Sequence, residues 1–295
     1  MPTVPLEVAI LRDETAVRTD LQPGHGLSML ARVGEKTLLL DTGDSAQTWV
    51  NARLMGVDLA EVSTLVLSHG HYDHTNGLPA LLRQVGRLDV VAHPAVFEPR
   101  YSDRGADGPV FIGPPLTREE FEELGASFRL SAEPVELAPG VTTTGHVPRV
   151  SDLAPEAPHL LVERDGKVIR DDFVDDLSII VQLEEGDVLL TGCAHAGLVN
   201  IVARAEQITR RCPVTIIGGT HLAREAEERI ERVALEMAQR GVQQIMPLHC
   251  SGERGARLLE RYFSGEVLRS GTGGIIAIDD TGAIKQVNIA HAGAD

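Results

Sequence analysis

The stretch VLSHGHYDHTNGLPALL, residues 66 to 82, constrains the fold of this chain more than any other. It begins as a run of β-formers and ends in a helical pattern, with His69, His71, Asp73 and His74 between them. A turn can be built from Gly, Asn and Ser, so three imidazoles and a carboxylate within six residues need another reason. Residues two apart on an extended backbone point the same way. His69, His71 and Asp73 therefore converge, and His74 swings round as a helix begins near Thr75. Imidazole and carboxylate are preferred ligands of zinc and similar divalent ions. Closed structural zinc sites usually draw on Cys at CxxC-type spacings, which are absent here. The turn reads as a metal cradle of the open, catalytic kind.

The segments around it alternate strands and helices. VPLEVAIL, GLSMLARV and KTLLLD are apolar runs of strand length, the last two joined by a VGEK hairpin. SAQTWVNARLMG and TNGLPALLRQVG read as helices closed by glycine, with STLVLSH and LDVVAHP as strands. The second half repeats the theme: HLLVER with KVIR, LSIIVQLEE with DVLLTG, PVTIIGG and QQIMPL as strands. Helices LVNIVARAEQITRR, LAREAEERIERVALEMAQRG and ERGARLLERYF are interleaved, and GIIAID with AIKQVNI closes the chain. Strand pairs flanked by helices in both halves predict an α/β fold of two packed β-sheets with helices outside. Residues 98 to 118, rich in Gly, Pro and charge, read as an inserted loop over the site mouth in a single domain spanning 1–295.

Composition narrows the partners. Aromatics make up only 3% of the 295 residues, so Leu, Val, Ile and Ala must fill the core. Lys and Arg number 27 against 43 Asp and Glu, a net charge of −16. Such a surface disfavours nucleic acid and anionic membranes, because counterion release needs clustered cations. A small-molecule substrate is expected instead. Three cysteines, Cys193, Cys212 and Cys250, show no repeated spacing and do not form a disulfide framework. The opening residues show no signal peptide, and no apolar stretch reaches membrane-span length. A cytoplasmic location is expected, and the sequence carries no sign of the oligomeric state.

HGHYDH matches the HxHxDH motif, and the chain resembles the metallo-β-lactamase superfamily. HGLSML, LLLDTG, SHGHYDHTNGL, TGCAHAG and MPLHCSG are similar, more narrowly, to a dihydropterin-ribofuranosyl-aminobenzene-phosphate synthase-like branch, from about Val8 to Ile278. The resemblance implies an αββα sandwich, a metal site at the sheet edge, and one or two divalent ions, first Zn2+, with Mn2+ or Fe2+ as alternatives. It places His69 and His71 on one ion and Asp73 and His74 on a second. His249 matches the family's last histidine. Cys193 stands where many members carry a bridging Asp, and His195, two residues on, is expected to supply a ligand or an acid/base group in its place. His146, in TTTGHVPR, resembles a ligand histidine of the first ion in many hydrolases. Asp41 matches a structural Asp under the metals, His221 is expected to contact the ligands from outside or the substrate, and His25 to reach the site mouth. His93, His159 and His291 match no motif.

The activity so implied is that of a metal-dependent hydrolase or related transferase using an activated water, with Asp73 as ligand and proton acceptor. The resemblance extends the substrate to a phosphorylated pterin-like molecule. Two rival readings stay open: a non-hydrolytic protein that binds metal or senses a ligand, and a di-iron redox relative.

Overall fold

Alternation of side chains along each strand decides the architecture. In a computed structural model describing residues 5–289, strand Leu6–Arg12 turns Leu6, Val8 and Ile10 to one apolar cluster and Ala9 and Leu11 to another. The same division separates Leu38 and Leu40 from Leu39, and Val188 and Leu190 from Leu189. Strands buried on both faces need cover on both, which accounts for their near-continuous apolar runs.

The first sheet has eight strands, in the order Ile284–Ile289, Gly274–Ile278, Leu6–Arg12, Ser28–Val33, Lys36–Leu40, Thr64–Val66, Leu88–Ala92 and Ala126–Leu130. The second has seven: Glu266–Val267, Gln244–Leu248, Pro213–Gly219, Asp187–Thr191, Ser178–Gln182, Val141–Thr143 and Glu136–Ala138. Between them lies a shared core that includes Val8, Met29, Leu40, Val66, Ile179, Leu190, Ile217 and Met246. Helices Gln47–Leu54 and Leu78–Val85 lie outside the first sheet. Leu198–Thr209, Glu227–Arg240 and Gly252–Tyr262 cover the second. The result is the αββα sandwich expected. No helix among the described residues is long and apolar enough to cross a membrane.

Each sheet contains a parallel block. Lys36–Leu40, Thr64–Val66 and Leu88–Ala92 run parallel in the first, as do Asp187–Thr191, Pro213–Gly219 and Gln244–Leu248 in the second. Ligand sites in α/β sheets gather beyond the carboxyl ends of such strands.

One sequence expectation needs correcting. The segment 98 to 118 is not a free loop: Arg100–Asp103 and Pro109–Phe111 pair antiparallel, and Arg100–Asp103 also pairs with Leu160–Arg164. With Lys167–Arg170 they make a third, four-stranded sheet. Its polar and charged sequence misled because these strands have little apolar surface of their own to bury. Ile112, just past the hairpin, joins Leu160, Phe173, Ala157 and Tyr72 in a small cluster that brings the segment beside the site.

Candidate metal centre

The HxHxDH turn leaves Val66 extended and enters a short helix, Tyr72–Thr75. Gly70 must be glycine, because a Cβ there would meet the Val96 carbonyl and the Arg100 guanidinium. Its N–H donates to Asp175 Oδ2 at 2.8 Å, and Asp175 Oδ1 lies 2.8 Å from Arg100 Nη2. Arg100, fully buried, also pairs with Asp171 at 3.0 Å. This network holds the turn from below. Burial pushes the Asp175 carboxyl up to about 6 even against Arg100.

The second sheet answers from its own strand ends. Gly192, Cys193 and His195 follow Asp187–Thr191, His221 follows Pro213–Gly219, and His249 and Cys250 follow Gln244–Leu248. Glycine at 192 leaves room for the Ser68 side chain, which a Cβ would strike. Seven non-glycine residues among those described have left-handed φ angles, and five of them, Asp41, Phe173, Ala194, His221 and His249, stand at this site. Such conformations cost on the order of 1–3 kcal/mol each and persist only where surrounding structure enforces them.

Hydrogen bonds set the direction of each imidazole. Asp41 accepts from the Ser68 amide at 2.7 Å, the Ser68 hydroxyl at 2.6 Å and His74 Nδ1 at 2.7 Å. With its proton committed to Asp41, the Ser68 hydroxyl accepts from His69 Nδ1 at 2.9 Å. Glu14 Oε1 lies 2.8 Å from His249 Nδ1 and fixes that ring likewise. The Nε2 atoms of His69, His74 and His249 are thus left as lone pairs aimed inward. His74 Nε2 and His249 Nε2 face each other at 3.1 Å, with Asp73 Oδ2 at 3.7 and 3.3 Å from them. Two ring nitrogens this close beside a carboxylate need a proton or a metal ion between them. His71 Nε2 and both ring nitrogens of His195 are buried without a hydrogen-bond partner, although buried polar atoms nearly always have one. Donor atoms of His69, His71 and His195 lie within 4.8 Å of one another, as do those of Asp73, His74 and His249. Cys193 adjoins both sets, its Sγ 3.2 Å from His74 Nε2 and grouped with His69.

Electrostatics agrees with this reading. Burial lowers the His69 and His195 imidazoles well below their ordinary range and holds His71 at about 3, so all three present neutral nitrogen. Burial would raise Asp73, but the adjoining imidazoles of His74 and His249 outweigh it and keep the carboxyl low. His249 goes the other way: against burial, the Cys250 sulfur, Asp73 and Glu14 raise it, which marks the place where positive charge is wanted. Glu14, pushed up by burial, is brought down to about 2 by its hydrogen bonds with His249 and His25.

The sequence therefore brought together His69, His71, Asp73, His74, Cys193, His195 and His249, with Asp41 beneath. His25 lies at the mouth, 2.9 Å from Glu14 and 3.4 Å from Asp73. His221 lies beside His195, with ring centroids 4.2 Å apart. His146 is not brought in. It is exposed, its Nδ1 lies 3.2 Å from the Val174 carbonyl, and its ring is nearer His93. His195, stacked flat on Phe173 at 4.1 Å, completes the group with His69 and His71 instead. His291 lies outside the described residues. Sequence reasoning missed Glu14, Asp13 (which accepts the His249 amide at 2.6 Å), Arg100 and Asp175. The run DDFVDD, residues 171 to 176, was the one available signal, since acids set among apolar residues need buried partners.

Two packed sheets with helices outside, and a histidine–aspartate cluster where their parallel strands end, define a class of metalloprotein. Residues 21–205 match the model of the metallo-β-lactamase superfamily, and the chain belongs to it. Among curated relatives it is 28% identical to the 7,8-dihydropterin-6-methyl-4-(β-D-ribofuranosyl)-aminobenzene-5′-phosphate synthase of Methanocaldococcus jannaschii, over 85% of this chain and 89% of that one. It is 25% identical to ribonuclease Z of Thermobifida fusca, over 89% of this chain and 91% of the relative. Among solved structures, Tm1679, described as a metal-dependent hydrolase of the β-lactamase superfamily, superposes with a TM-score of 0.80 at 26% identity, covering 93% of this chain and 100% of that one.

Proposed function

We propose that the chain is a metal-dependent hydrolase, or a transferase using the same chemistry, that takes a small phosphorylated substrate of the dihydropterin type. One observation carries the reading: the ring-nitrogen lone pairs of His74 and His249 oppose each other at 3.1 Å beside Asp73. His69, His71 and His195 would hold one ion, and Asp73, His74 and His249 another. Nitrogen and oxygen donors of this kind suit Zn2+, with Mn2+ or Fe2+ as alternatives. A divalent ion bound there supplies Lewis-acid polarisation and a water acidic enough to act as nucleophile near neutral pH.

The chain's own groups do the rest. Asp73 accepts a proton at Oδ2. His25, 3.4 Å from that oxygen and with a side chain 60% exposed, exchanges the proton with solvent. Glu14 holds the His25 and His249 rings in place from one oxygen. The substrate class is supported by the likeness to the Methanocaldococcus synthase over most of both chains. The net charge of −16 argues against an RNA substrate despite the likeness to ribonuclease Z. Three free cysteines suit a reducing, cytoplasmic setting.

Elemental analysis of protein made without added metal, beside a panel of dihydropterin phosphate, phosphodiester, lactone and β-lactam substrates, tests the proposal. Bound divalent metal and turnover of the phosphorylated pterin, both lost in His71→Ala, are expected. Full turnover by metal-stripped protein would overturn it.

A further inference from the structure

Three donors at the end of the second sheet take no part in that scheme as ligands of either ion: Cys193, His221 and Cys250. They come from the carboxyl ends of three adjacent parallel strands, Asp187–Thr191, Pro213–Gly219 and Gln244–Leu248. Their sulfur, nitrogen and sulfur atoms lie within 4.8 Å of one another. We propose that Cys193, His221 and Cys250 form a further metal locus abutting the histidine–aspartate cradle at Cys193, taking one thiophilic divalent ion of the zinc and cadmium type.

Several independent features support this locus. His221 Nδ1 is buried and has no hydrogen-bond partner, so the ring is presented to the sulfurs without a competing bond. The His221 backbone is left-handed, at φ 54°, and Ala194, next to Cys193, is left-handed at φ 59°. Alanine seldom adopts that conformation, so the strand end at Cys193 is held in place by what surrounds it. Gly219 is needed beside Cys250: a Cβ there would stand 2.7 Å from the Cys250 sulfur and run into the Gly192 carbonyl. The Cys250 sulfur accepts the His221 amide at 3.3 Å, a bond that favours the thiolate over the thiol. As a thiol, Cys250 donates to the Cys193 carbonyl at 3.3 Å. Binding breaks that bond and releases the thiol protons to solvent.

The donor set decides the ion. Two thiolates and an imidazole select soft or borderline cations and reject Mg2+ or Ca2+, which want oxygen. Three protein donors leave a fourth tetrahedral position open to solvent or substrate. The nitrogen and oxygen cradle beside it is harder, so the two loci differ in which ions they prefer. Cys212, near the opposite end of strand Pro213–Gly219, lies outside the group and is a built-in control.

The test is a titration of reduced, metal-stripped protein with Cd2+, reading the ultraviolet thiolate-to-cadmium charge-transfer band and counting bound ions by mass spectrometry. The wild type and Cys212→Ser should show the band. Cys250→Ser should lose it together with about one ion per chain. His221→Ala, which keeps both sulfurs, should weaken the charge-transfer titration about tenfold or more, and it carries the test should Cys250→Ser fail to fold. His69→Ala should lose an ion from the neighbouring cradle and keep the band. Cadmium binding without the band, or full occupancy in Cys250→Ser, would overturn the proposal. So would a band that survives Cys250→Ser and disappears in Cys193→Ser, since Cys193 would then serve the histidine–aspartate cradle alone.

Discussion

Asp41 accepts three hydrogen bonds with one carboxylate, and through them it aims His74 directly and His69 by way of Ser68. Outer partners of this kind are typically worth 10–100-fold in metal affinity. Asp41 sits at φ 59°, a conformation that Asn tolerates well, so Asp41→Asn removes the charge without adding backbone strain. The variant should fold normally and lose about ten- to a hundredfold in metal affinity, read by competition with a chromophoric chelator. An unchanged affinity would reduce Asp41 to a turn cap. At the proposed ligands, His71→Ala or Asp73→Ala should strip metal and activity and leave the circular dichroism spectrum intact. His195→Ala should lower the ion count, while Cys193→Asp should raise occupancy of the second ion by supplying a bridging carboxylate. Equal metal content in His71→Ala and parent would sink the assignment.

Elements show where the sequence could be read and where it could not. The sandwich strands were legible because apolar runs bounded by turns can only be buried, and the helices because their stripes repeat at helical spacing. The HxHxDH turn was legible because its four donors fall within six consecutive residues of chain. The hairpin Arg100–Asp103 with Pro109–Phe111 was not, since its stability comes from pairing and from one buried arginine. Glu14 and Asp13 were equally hidden: a single acid in a polar stretch gives no sign that folding will set it against a residue more than two hundred positions away. Arg100→Met should destabilise the fold by about 3–5 kcal/mol, because Asp171 and Asp175 would be left buried without their cation. Urea unfolding measures it, and a change below about 1 kcal/mol would show that water replaces the guanidinium. His93 offers a second element-level test. Its Nδ1 accepts the Ala95 amide at the start of the short helix Pro94–Phe97, and burial lowers the ring to about 4. A histidine depressed in the folded state stabilises fully above its ordinary value near 6.5 and loses that contribution as pH falls through about 4. His93→Asn keeps an acceptor that does not titrate, so its stability should fall less than that of the parent between those limits.

At the scale of the molecule, the site joins the two sheets at their parallel-strand ends, beside the apolar core they share. A ligand that binds the folded state alone stabilises it by RT ln(1 + [L]/Kd), about 4 kcal/mol at a thousand times Kd. Chelation should therefore lower the calorimetric midpoint, and His249→Ala should remove most of the chelator-sensitive part. A midpoint indifferent to chelator in the parent protein would mean that the cluster holds no ion under those conditions.

The division of the donors between the two halves of the chain also bears on how the protein is made. His69 to His74 leave the ribosome early, whereas His249 is synthesised some 175 positions after His74. A nascent chain halted before residue 195 would carry only part of each proposed donor set, and one halted between 195 and 249 would lack only the last donor of the second. Filling of the second proposed site would therefore wait for His249, long after the HxHxDH turn is made. A truncated product would be a loose chelator, not a slower enzyme.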